Sequence, residues 1–388
     1  MVAHQPTGTH KLHMKQQETD KTSPSIILDG HKLSYHLDRV KDWLDGKHIA
    51  PITIDCSLTQ ACTYKCVYCY GQLQHNKGSS LSKEVIYRFL DDCAEIGVKA
   101  VSFVSDGEST CSPHLYDAIL RGKANGLDMA LGTNGFLLKP ERLSEILPAL
   151  TYLRFNISAA DPDRYAQIHG CSVAAYETVV NTIEQAVKIK TSANLETTIG
   201  LQMVLLPDFQ DQIIPLAKLG NTLGVDYLVI KHCSDDEDGS LGVDYSKYQS
   251  MIPLLEQAET FSTKRYLVKA KWSKILSKGL RGYSQCFGPP FILQLSGTGL
   301  VAPCGMFFNE KYKKYHIGNI AEKSFKEIWL SDRYKEVMNE IGSHRFNAKT
   351  MCGTLCLQHK VNEFLWDVKK HGLTEPPPGP QPPHINFI

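Results

Sequence analysis

The chain has 388 residues, which at roughly 150 per domain allows two or three domains with a sizeable core. Its 42 Lys and Arg balance 41 Asp and Glu to a formal charge of +1, so composition gives no electrostatic case for binding nucleic acid or an anionic membrane. Hydrophobic residues at 42% and charged residues at 21% are typical of a globular protein. No apolar run approaches the roughly 18 residues of a membrane span, and the polar N-terminus lacks the apolar stretch of a secretory signal. We therefore expect a cytoplasmic protein without nucleic-acid or membrane partners.

Strand-like and helix-like stretches alternate along the first two thirds of the chain. The predicted strands cover residues 52–55, 100–104, 128–132, 152–157, 197–205 and 227–230. Apolar residues at helical spacing predict helices between them, the first beginning at Ser82 and ending at Gly97. Six such units with short connections predict an α/β protein with a parallel sheet, curled by right-handed crossovers into a partial (β/α)6 barrel of the TIM type. Functional side chains then belong at the C-terminal strand ends.

Composition divides the chain into four parts. Residues 1–45 are a polar tail and lead-in, and residues 46–275 form the barrel domain. Residues 276–360 are richer in Gly, Pro and Cys and carry a hairpin signal at 296–299, which predicts a small α+β domain. Residues 361–388 form a Pro-rich tail, whose repeated prolines exclude a helix over 375–383.

Three of the twelve cysteines stand within eight residues, just after the first predicted strand. They are Cys62, Cys66 and Cys69. Three thiolates can ligate three irons of a 4Fe–4S cube and leave the fourth iron open to a bound molecule. The alternative is a closed zinc site, which needs a fourth ligand, and His75 lies six residues on.

Four further cysteines lie in the smaller domain. Four thiols fully ligate one more 4Fe–4S cluster with no open iron, and a Gly-containing hairpin between the first two would bring them onto one site. A structural zinc ion held by the same four thiols is the alternative. These cysteines are Cys286, Cys304, Cys352 and Cys356.

The CxxxCxxC motif after the first strand of a partial barrel, with Tyr68 before its last cysteine, resembles the radical S-adenosylmethionine superfamily. The second cysteine set and residues 316–329 resemble the C-terminal extension of the SPASM and twitch subfamilies. Because four cysteines are present instead of the seven of a full SPASM pattern, the single-cluster twitch form fits better. The resemblance implies two 4Fe–4S clusters and S-adenosylmethionine as cofactors, with flavodoxin or ferredoxin as electron donor.

The same resemblance assigns strand-end residues to S-adenosylmethionine. The segment after the second strand stands where the family carries a GGEP-type motif that binds the methionine amino group, although Asp106 replaces its first glycine. The end of the fourth strand corresponds to contacts with the ribose or carboxylate, and the fifth and sixth strands add one residue each. The residues implied in cofactor binding are Tyr68, Asp106, Gly107, Glu108, Ser109, Asn156, Ser158, Gln202 and Lys231.

The implied reaction is reductive cleavage of S-adenosylmethionine to a 5′-deoxyadenosyl radical, which abstracts hydrogen from a substrate C–H bond. In related aminocyclitol dehydrogenases the closed cluster is thought to accept an electron, so net oxidation of a sugar or aminocyclitol alcohol is the leading hypothesis. A radical epimerase or a ribosomal-peptide-modifying enzyme is the alternative, and a zinc-stapled binding module is the non-enzyme alternative. An epimerase needs a hydrogen-donating thiol, for which Cys111, Cys171 and Cys233 are candidates near the predicted barrel mouth. The acidic run at residues 235–238 is either a solvated loop or a site for an amine-bearing substrate.

Overall fold

A computed structural model of the chain describes residues 26–74, 77–354, 356–376 and 378–388. Within them, ten strands form one sheet in the order β10-β9-β8-β1-β2-β3-β4-β5-β6-β7. Residues 1–25 of the predicted polar tail lie outside the described residues. The strands are β1 (Thr53–Cys56), β2 (Ala100–Phe103), β3 (Asp128–Thr133), β4 (Leu150–Asn156), β5 (Thr198–Leu205), β6 (Tyr227–His232), β7 (Leu267–Ala270), β8 (Ile292–Leu295), β9 (Leu300–Ala302) and β10 (Gly318–Asn319).

Strands β1 to β7 pair in sequence order and all in parallel, which confirms the predicted α/β partial barrel. β7 was not predicted, because four residues with Lys269 in the middle give no readable strand pattern. The helices are α1 (Leu37–Leu44), α2 (Lys83–Ile96), α3 (Leu115–Ala124), α4 (Leu143–Ile146), α5 (Pro162–His169), α6 (Ala174–Ser192), α7 (Ile213–Leu223), α8 (Ile252–Glu259), α9 (Trp272–Ile275), α10 (Phe325–Leu330), α11 (Asp332–Ile341) and α12 (His359–His371).

Helix α2 shows how local sequence fixes these elements. The Ser82 hydroxyl accepts a hydrogen bond from the Val85 backbone N–H, and Gly97 ends the helix in the left-handed conformation with φ 91°. Between these caps, Ile86 and Phe89 repeat at helical spacing and are buried in the main core. The apolar face of the helix therefore covers the outside of the barrel sheet.

The smaller C-terminal region extends the barrel sheet. β8 pairs in parallel with β1, and the predicted hairpin turns back from β8 into β9. At the turn Gly299 has φ 88°, a conformation that favours glycine. β10 then pairs with β9 in an antiparallel arrangement. The second cysteine set is thereby attached beside the first strand of the barrel.

The predicted tails differ from the structure at both ends of the described chain. Val361 and Leu365 of α12 pack in a second apolar cluster with Val40 of α1, so residues 361–371 are a docked helix. Their helical spacing was obscured by the nearby prolines. Phe387 is buried against Tyr152 at the N-terminal end of the barrel. No helix in the described part of the chain is long and apolar enough to cross a membrane.

Candidate active site

The first cysteine loop, which follows β1, is held by the end of α5. The backbone N–H of Lys65 donates to the His169 carbonyl at 3.1 Å, and that of Val67 donates to the Ile168 carbonyl at 2.9 Å. Gly170 permits this approach, because a Cβ there would lie 2.4 Å from the Lys65 carbonyl oxygen. Backbone contacts therefore position the loop without help from a metal.

His169 links this loop to the end of β4. Its Nε2 accepts a hydrogen bond from the Ser158 backbone N–H at 3.1 Å, and burial lowers its pKa to about 3. A neutral ring that accepts at Nε2 carries its hydrogen on Nδ1. Nδ1 lies 3.3 Å from the Cys66 Sγ and 3.4 Å from the Tyr68 hydroxyl. The imidazole therefore orients both groups, a role that sequence reasoning did not assign.

The three thiols of the loop lie near enough to act on one another electrostatically. Cys62 is exposed, whereas Cys66 and Cys69 are half-buried. Burial raises the pKa of Cys62 to about 12 and is also the main cause of the raised pKa of Cys66, to which the charges of Cys69 and Cys62 add. Thiols that repel one another as thiolates become stable ligands when iron takes up their charge, so this all-thiol donor set fits an iron–sulfur cluster.

A single-ion site is not formed by the described residues. No three His, Cys, Asp or Glu side chains among them lie close enough together to hold one metal ion. His75, the proposed fourth zinc ligand, lies outside the described residues. A 4Fe–4S cube is larger than one ion and takes ligands that stand farther apart.

The segment after β2 lies directly against the cysteine loop. Gly107 has φ 75°, and a Cβ there would lie 2.2 Å from the Thr59 carbonyl oxygen, so only glycine fits. The Glu108 carboxylate accepts hydrogen bonds from the Thr133 hydroxyl at 2.8 Å and the Asn134 backbone N–H at 2.7 Å. Glu108 thus braces the ends of β2 and β3. Ser109, next in the chain, is also buried.

Asp106 connects the barrel to the C-terminal hairpin. Its carboxylate accepts hydrogen bonds from the Ser296 hydroxyl at 2.6 Å and the Gly297 backbone N–H at 2.9 Å. The Gln60 amide, just before the cysteine loop, donates to the same carboxylate at 3.2 Å. Asp106, which stands where the resembled family has glycine, therefore links the segment after β2 to the hairpin after β8 and to the residues just before the cysteine loop.

The next three strands bring their polar residues to the same edge of the sheet. The Gln202 amide donates to the Asn156 side-chain oxygen at 2.8 Å, across β4 and β5. The Ser158 hydroxyl accepts a hydrogen bond from the Val204 backbone N–H at 3.2 Å. Lys231 on β6 lines the interior of the barrel together with Gln202.

The second cysteine set gathers at the adjoining end of the cavity. The Arg281 guanidinium donates to the Cys352 Sγ at 3.5 Å, and the Asn362 amide donates to the Cys286 Sγ at 3.4 Å. Burial raises the pKa values of both thiols to about 12, and the charges of neighbouring thiols add to the rise. The four thiols of this set thus also form an all-sulfur donor group. They are Cys286, Cys304, Cys352 and Cys356.

One cavity of about 390 Å³ lies inside the barrel and reaches both cysteine regions. Tyr70 and Gly71, directly after Cys69, line it at one place, and Cys304 and Cys356 line it at another. The fold and this site define an α/β-barrel protein with two separate groups of thiols beside one chamber.

The three candidate hydrogen donors lie elsewhere. Among the described residues, the cavity wall includes none of Cys111, Cys171 and Cys233. Cys233 is fully buried, and its Sγ lies 3.7 Å from the Tyr68 carbonyl oxygen. A position at a strand end predicts the edge of the barrel but not the direction of the side chain, which explains the difference.

The acidic run at residues 235–238 also lies outside the cavity wall. Lys311 pairs with Asp236 at 3.5 Å and with Asp238 at 3.1 Å, and Asp235 accepts a hydrogen bond from the Leu241 backbone N–H at 2.9 Å. These carboxylates therefore hold their own loop and the neighbouring Lys311, and the amine-binding interpretation gains no support.

Comparison with known families identifies both regions. The Radical SAM superfamily model matches residues 56–219, and the SPASM iron-sulfur cluster-binding domain model matches residues 286–356, together more than half of the chain. The chain is a radical S-adenosylmethionine protein with a SPASM domain. Its first domain binds a 4Fe–4S cluster and S-adenosylmethionine, and its SPASM domain binds additional iron–sulfur clusters.

Individual relatives are distant. The tungsten-containing aldehyde ferredoxin oxidoreductase cofactor-modifying protein of Pyrococcus furiosus is 21% identical over 292 residues, 71% of this chain and 80% of that protein. The AdoMet-dependent heme synthase of Methanosarcina barkeri is 27% identical over 333 residues, 80% of this chain and 90% of that protein. The structure of Streptococcus suis SuiB bound to S-adenosylmethionine matches with a TM-score of 0.60 and 14% identity, over 79% of this chain and 72% of SuiB. That identity supports the fold alone.

Proposed function

We propose that the protein is a radical S-adenosylmethionine enzyme that removes hydrogen from a substrate C–H bond in a net oxidation. The observation that carries this proposal is the shared chamber, which is lined by Tyr70 of the first cysteine loop and by Cys304 and Cys356 of the second set. When bound, the first cluster with S-adenosylmethionine supplies a 5′-deoxyadenosyl radical, and the second cluster supplies an acceptor for one electron. A substrate in this chamber would be within reach of both.

In this proposal the strand-end residues bind and orient S-adenosylmethionine. The carboxylate of Glu108 is already committed to Thr133 and Asn134, so we assign it to positioning and leave the methionine amino group to the neighbouring backbone. The Asn156–Gln202 pair supplies polar groups for the ribose or carboxylate. The other residues of this proposed cofactor-binding set are Tyr68, Asp106, Gly107, Ser109 and Ser158. Flavodoxin or ferredoxin is the proposed electron donor of the enzyme.

The chamber favours some substrate classes over others. Its wall carries several cations, described below, which would repel the amine of an aminocyclitol. An alcohol on a sugar or other small molecule that also bears an acidic group suits the lining better. Epimerisation is less favoured, because the three candidate thiol donors lie outside the cavity wall in the described residues.

A tetrapyrrole substrate is the second candidate. It is favoured by the similarity to a protein named AdoMet-dependent heme synthase, which the chain matches over 90% of its length. The chamber of about 390 Å³ is near the lower end of ordinary ligand pockets, roughly 300–1,000 Å³, and therefore supports a smaller substrate. SuiB has also been solved bound to its precursor peptide SuiA. The case for a peptide substrate depends on this similarity of fold alone.

The experiment is anaerobic reconstitution followed by iron counting and a deoxyadenosine assay with S-adenosylmethionine and a reductant. About eight irons per chain are expected for two clusters, and about four for one. The Cys66→Ala variant should lose deoxyadenosine formation, whereas the matched Cys111→Ala variant should keep it. Deoxyadenosine formation retained in Cys66→Ala would overturn the proposal.

A further inference from the structure

Positively charged side chains are concentrated inside the barrel. Among the described residues, five cationic side chains line the cavity, against two carboxylates, those of Asp55 and Asp106. The whole chain has a net charge of only +1, so this excess is local. The five are Lys32, Arg154, Lys231, Lys271 and Lys274.

Part of this charge is accounted for by other contacts. The Lys32 ammonium donates to the Phe387 carbonyl at 2.6 Å. Lys274 lies near the second cysteine set, because the charge of Cys356 acts on its pKa. The Asp106 carboxylate is committed to the hairpin turn that follows β8. Asp55 faces Arg154 and Lys231, and burial raises its pKa to about 6. The charge of Asp29, outside the cavity wall, acts on Lys271 and Lys274.

Three basic side chains of the cavity wall form no ion pair in the described part of the chain. Within the described residues, neither Arg154, Lys231 nor Lys271 forms an ion pair, and the buried Nε of Arg154 has no hydrogen-bond partner. Burial is the main cause that lowers the pKa of Lys271 to about 7, and it also lowers that of Lys231. A buried cation costs free energy unless a counter-charge is present. Asp55 acts on Arg154 and Lys231, and Asp29 acts on Lys271, so two carboxylates face three basic side chains. A further anion would favour the charged form of both lysines.

The sheet makes room for this group. A Cβ at Gly132 would lie 3.2 Å from the Arg154 guanidinium, and a Cβ at Gly200 would lie 2.1 Å from the Tyr227 ring. Both glycines therefore leave space on the inner face of the barrel that side chains of the neighbouring strands occupy. Arg154 and Tyr227 both line the cavity.

We propose that Arg154, Lys231 and Lys271 bind an anionic group of the substrate, a carboxylate or a phosphate, inside the barrel. This inference rests on the proposed function and names the substrate class of the same chamber. It moves Lys231 from the cofactor-binding set to substrate binding. The paired donors of Arg154 suit either oxyanion, and two ammonium groups beside it add charge without fixing the geometry.

The competing explanation is that these cations balance the negative charge of the two clusters. In that case a small anion would gain nothing from entering the chamber. Removing one cation would then change the cluster potentials and leave anion binding unaltered. Both quantities are measurable on the same protein.

The test is anaerobic calorimetry on the reconstituted holoprotein with S-adenosylmethionine already bound, so that the cofactor site is filled. The probes are succinate, inorganic pyrophosphate and, as a neutral molecule of similar shape, succinamide. We expect at least one of the two anions to bind and succinamide not to bind. Pyrophosphate alone would indicate a phosphate-bearing substrate, and succinate alone a carboxylate-bearing one.

The Lys271→Met variant should weaken anion binding by about tenfold or more, and the exposed Lys264→Met should leave it unchanged. Lys231→Met provides a second variant if the first loses iron. Binding of neither anion, equal binding of succinamide, or unchanged binding in both buried-lysine variants would overturn the inference. Deoxyadenosine formation by the wild-type protein tests the proposed function separately, so the two can fail independently.

Discussion

The two cysteine sets differ in what surrounds their sulfur atoms. In the first, Cys62 is exposed and Cys66 contacts the neutral imidazole of His169. In the second, the guanidinium of Arg281 donates to the sulfur of Cys352. Four thiolates bring more negative charge than three, so a fixed cation reduces the cost of burying them.

This difference indicates that the two cysteine sets have different roles. The second set carries its own counter-charge and enough thiols to close a cluster. The first set offers three thiols beside a neutral imidazole and the carboxylates of Asp106 and Glu108. This leaves a coordination position, and room for a positive charge, to an incoming ligand. The shared chamber would let a substrate meet both.

The largest expected effect separates the two sets directly. Cys304→Ala removes a thiol of the second set, a proposed cluster ligand, while leaving the first loop intact. We expect deoxyadenosine formation to survive in part and substrate oxidation to fall on the order of 100-fold or more. The control is Cys233→Ala, a buried cysteine outside both sets. Equal substrate turnover in Cys304→Ala would remove the second cluster from the reaction.

A smaller effect is expected from His169→Gln, which acts on the first set alone. Losing the contact of the ring with Cys66 should lower deoxyadenosine formation by about 10- to 100-fold, the usual cost of removing a group that orients a metal ligand. The electron paramagnetic resonance signal of the first cluster should change, while that of the second should not. His232→Gln is the matched buried control. A change confined to the second signal would contradict this assignment.

Asp106→Asn tests the physical link between the regions. The amide would turn a donor toward groups that now donate to the carboxylate, namely the Ser296 hydroxyl and the Gly297 N–H. We expect a loss of about 2 kcal/mol in the free energy of unfolding, measured by urea denaturation under anaerobic conditions. Ser296→Ala should produce part of the same loss. An unchanged unfolding midpoint in both variants would show that this bridge does not stabilise the fold.

Arg281→Met gives the smallest expected effect and acts on the second set. Removing a positive charge beside the cluster favours its oxidised form, so its reduction potential should fall by on the order of 60 mV. Potentiometric titration measures this shift, and the exposed Arg345→Met serves as control. A comparable shift of the first cluster would mean that Arg281 does not distinguish the two sets.

The features that could be predicted from the sequence are those that local residue pattern and spacing determine. The cysteine motif and the β1–β6 order are of this kind, as is the hairpin after β8. His169 was not assigned a role, because its contact with Cys66 joins residues 103 positions apart through a helix that was not predicted.

Of the three internal cations, Lys231 was predicted, although for cofactor binding, and Arg154 and Lys271 were missed. Arg154 stands between the apolar residues Leu153 and Phe155 of a predicted strand, and a charge on the inner face of a packed barrel is unusual. Its role could be inferred only from the structure, in which Lys271, directly after the unpredicted strand β7, lines the same cavity wall.

The central claim is that the first cysteine set leaves one iron open for S-adenosylmethionine. Electron–nuclear double resonance on the reduced holoprotein tests it, with S-adenosylmethionine labelled with nitrogen-15 in the amino group and oxygen-17 in the carboxylate. We predict hyperfine coupling from both labels in the wild type and in Cys304→Ala. A reduced first cluster that is present but shows no coupling to either label would contradict the account.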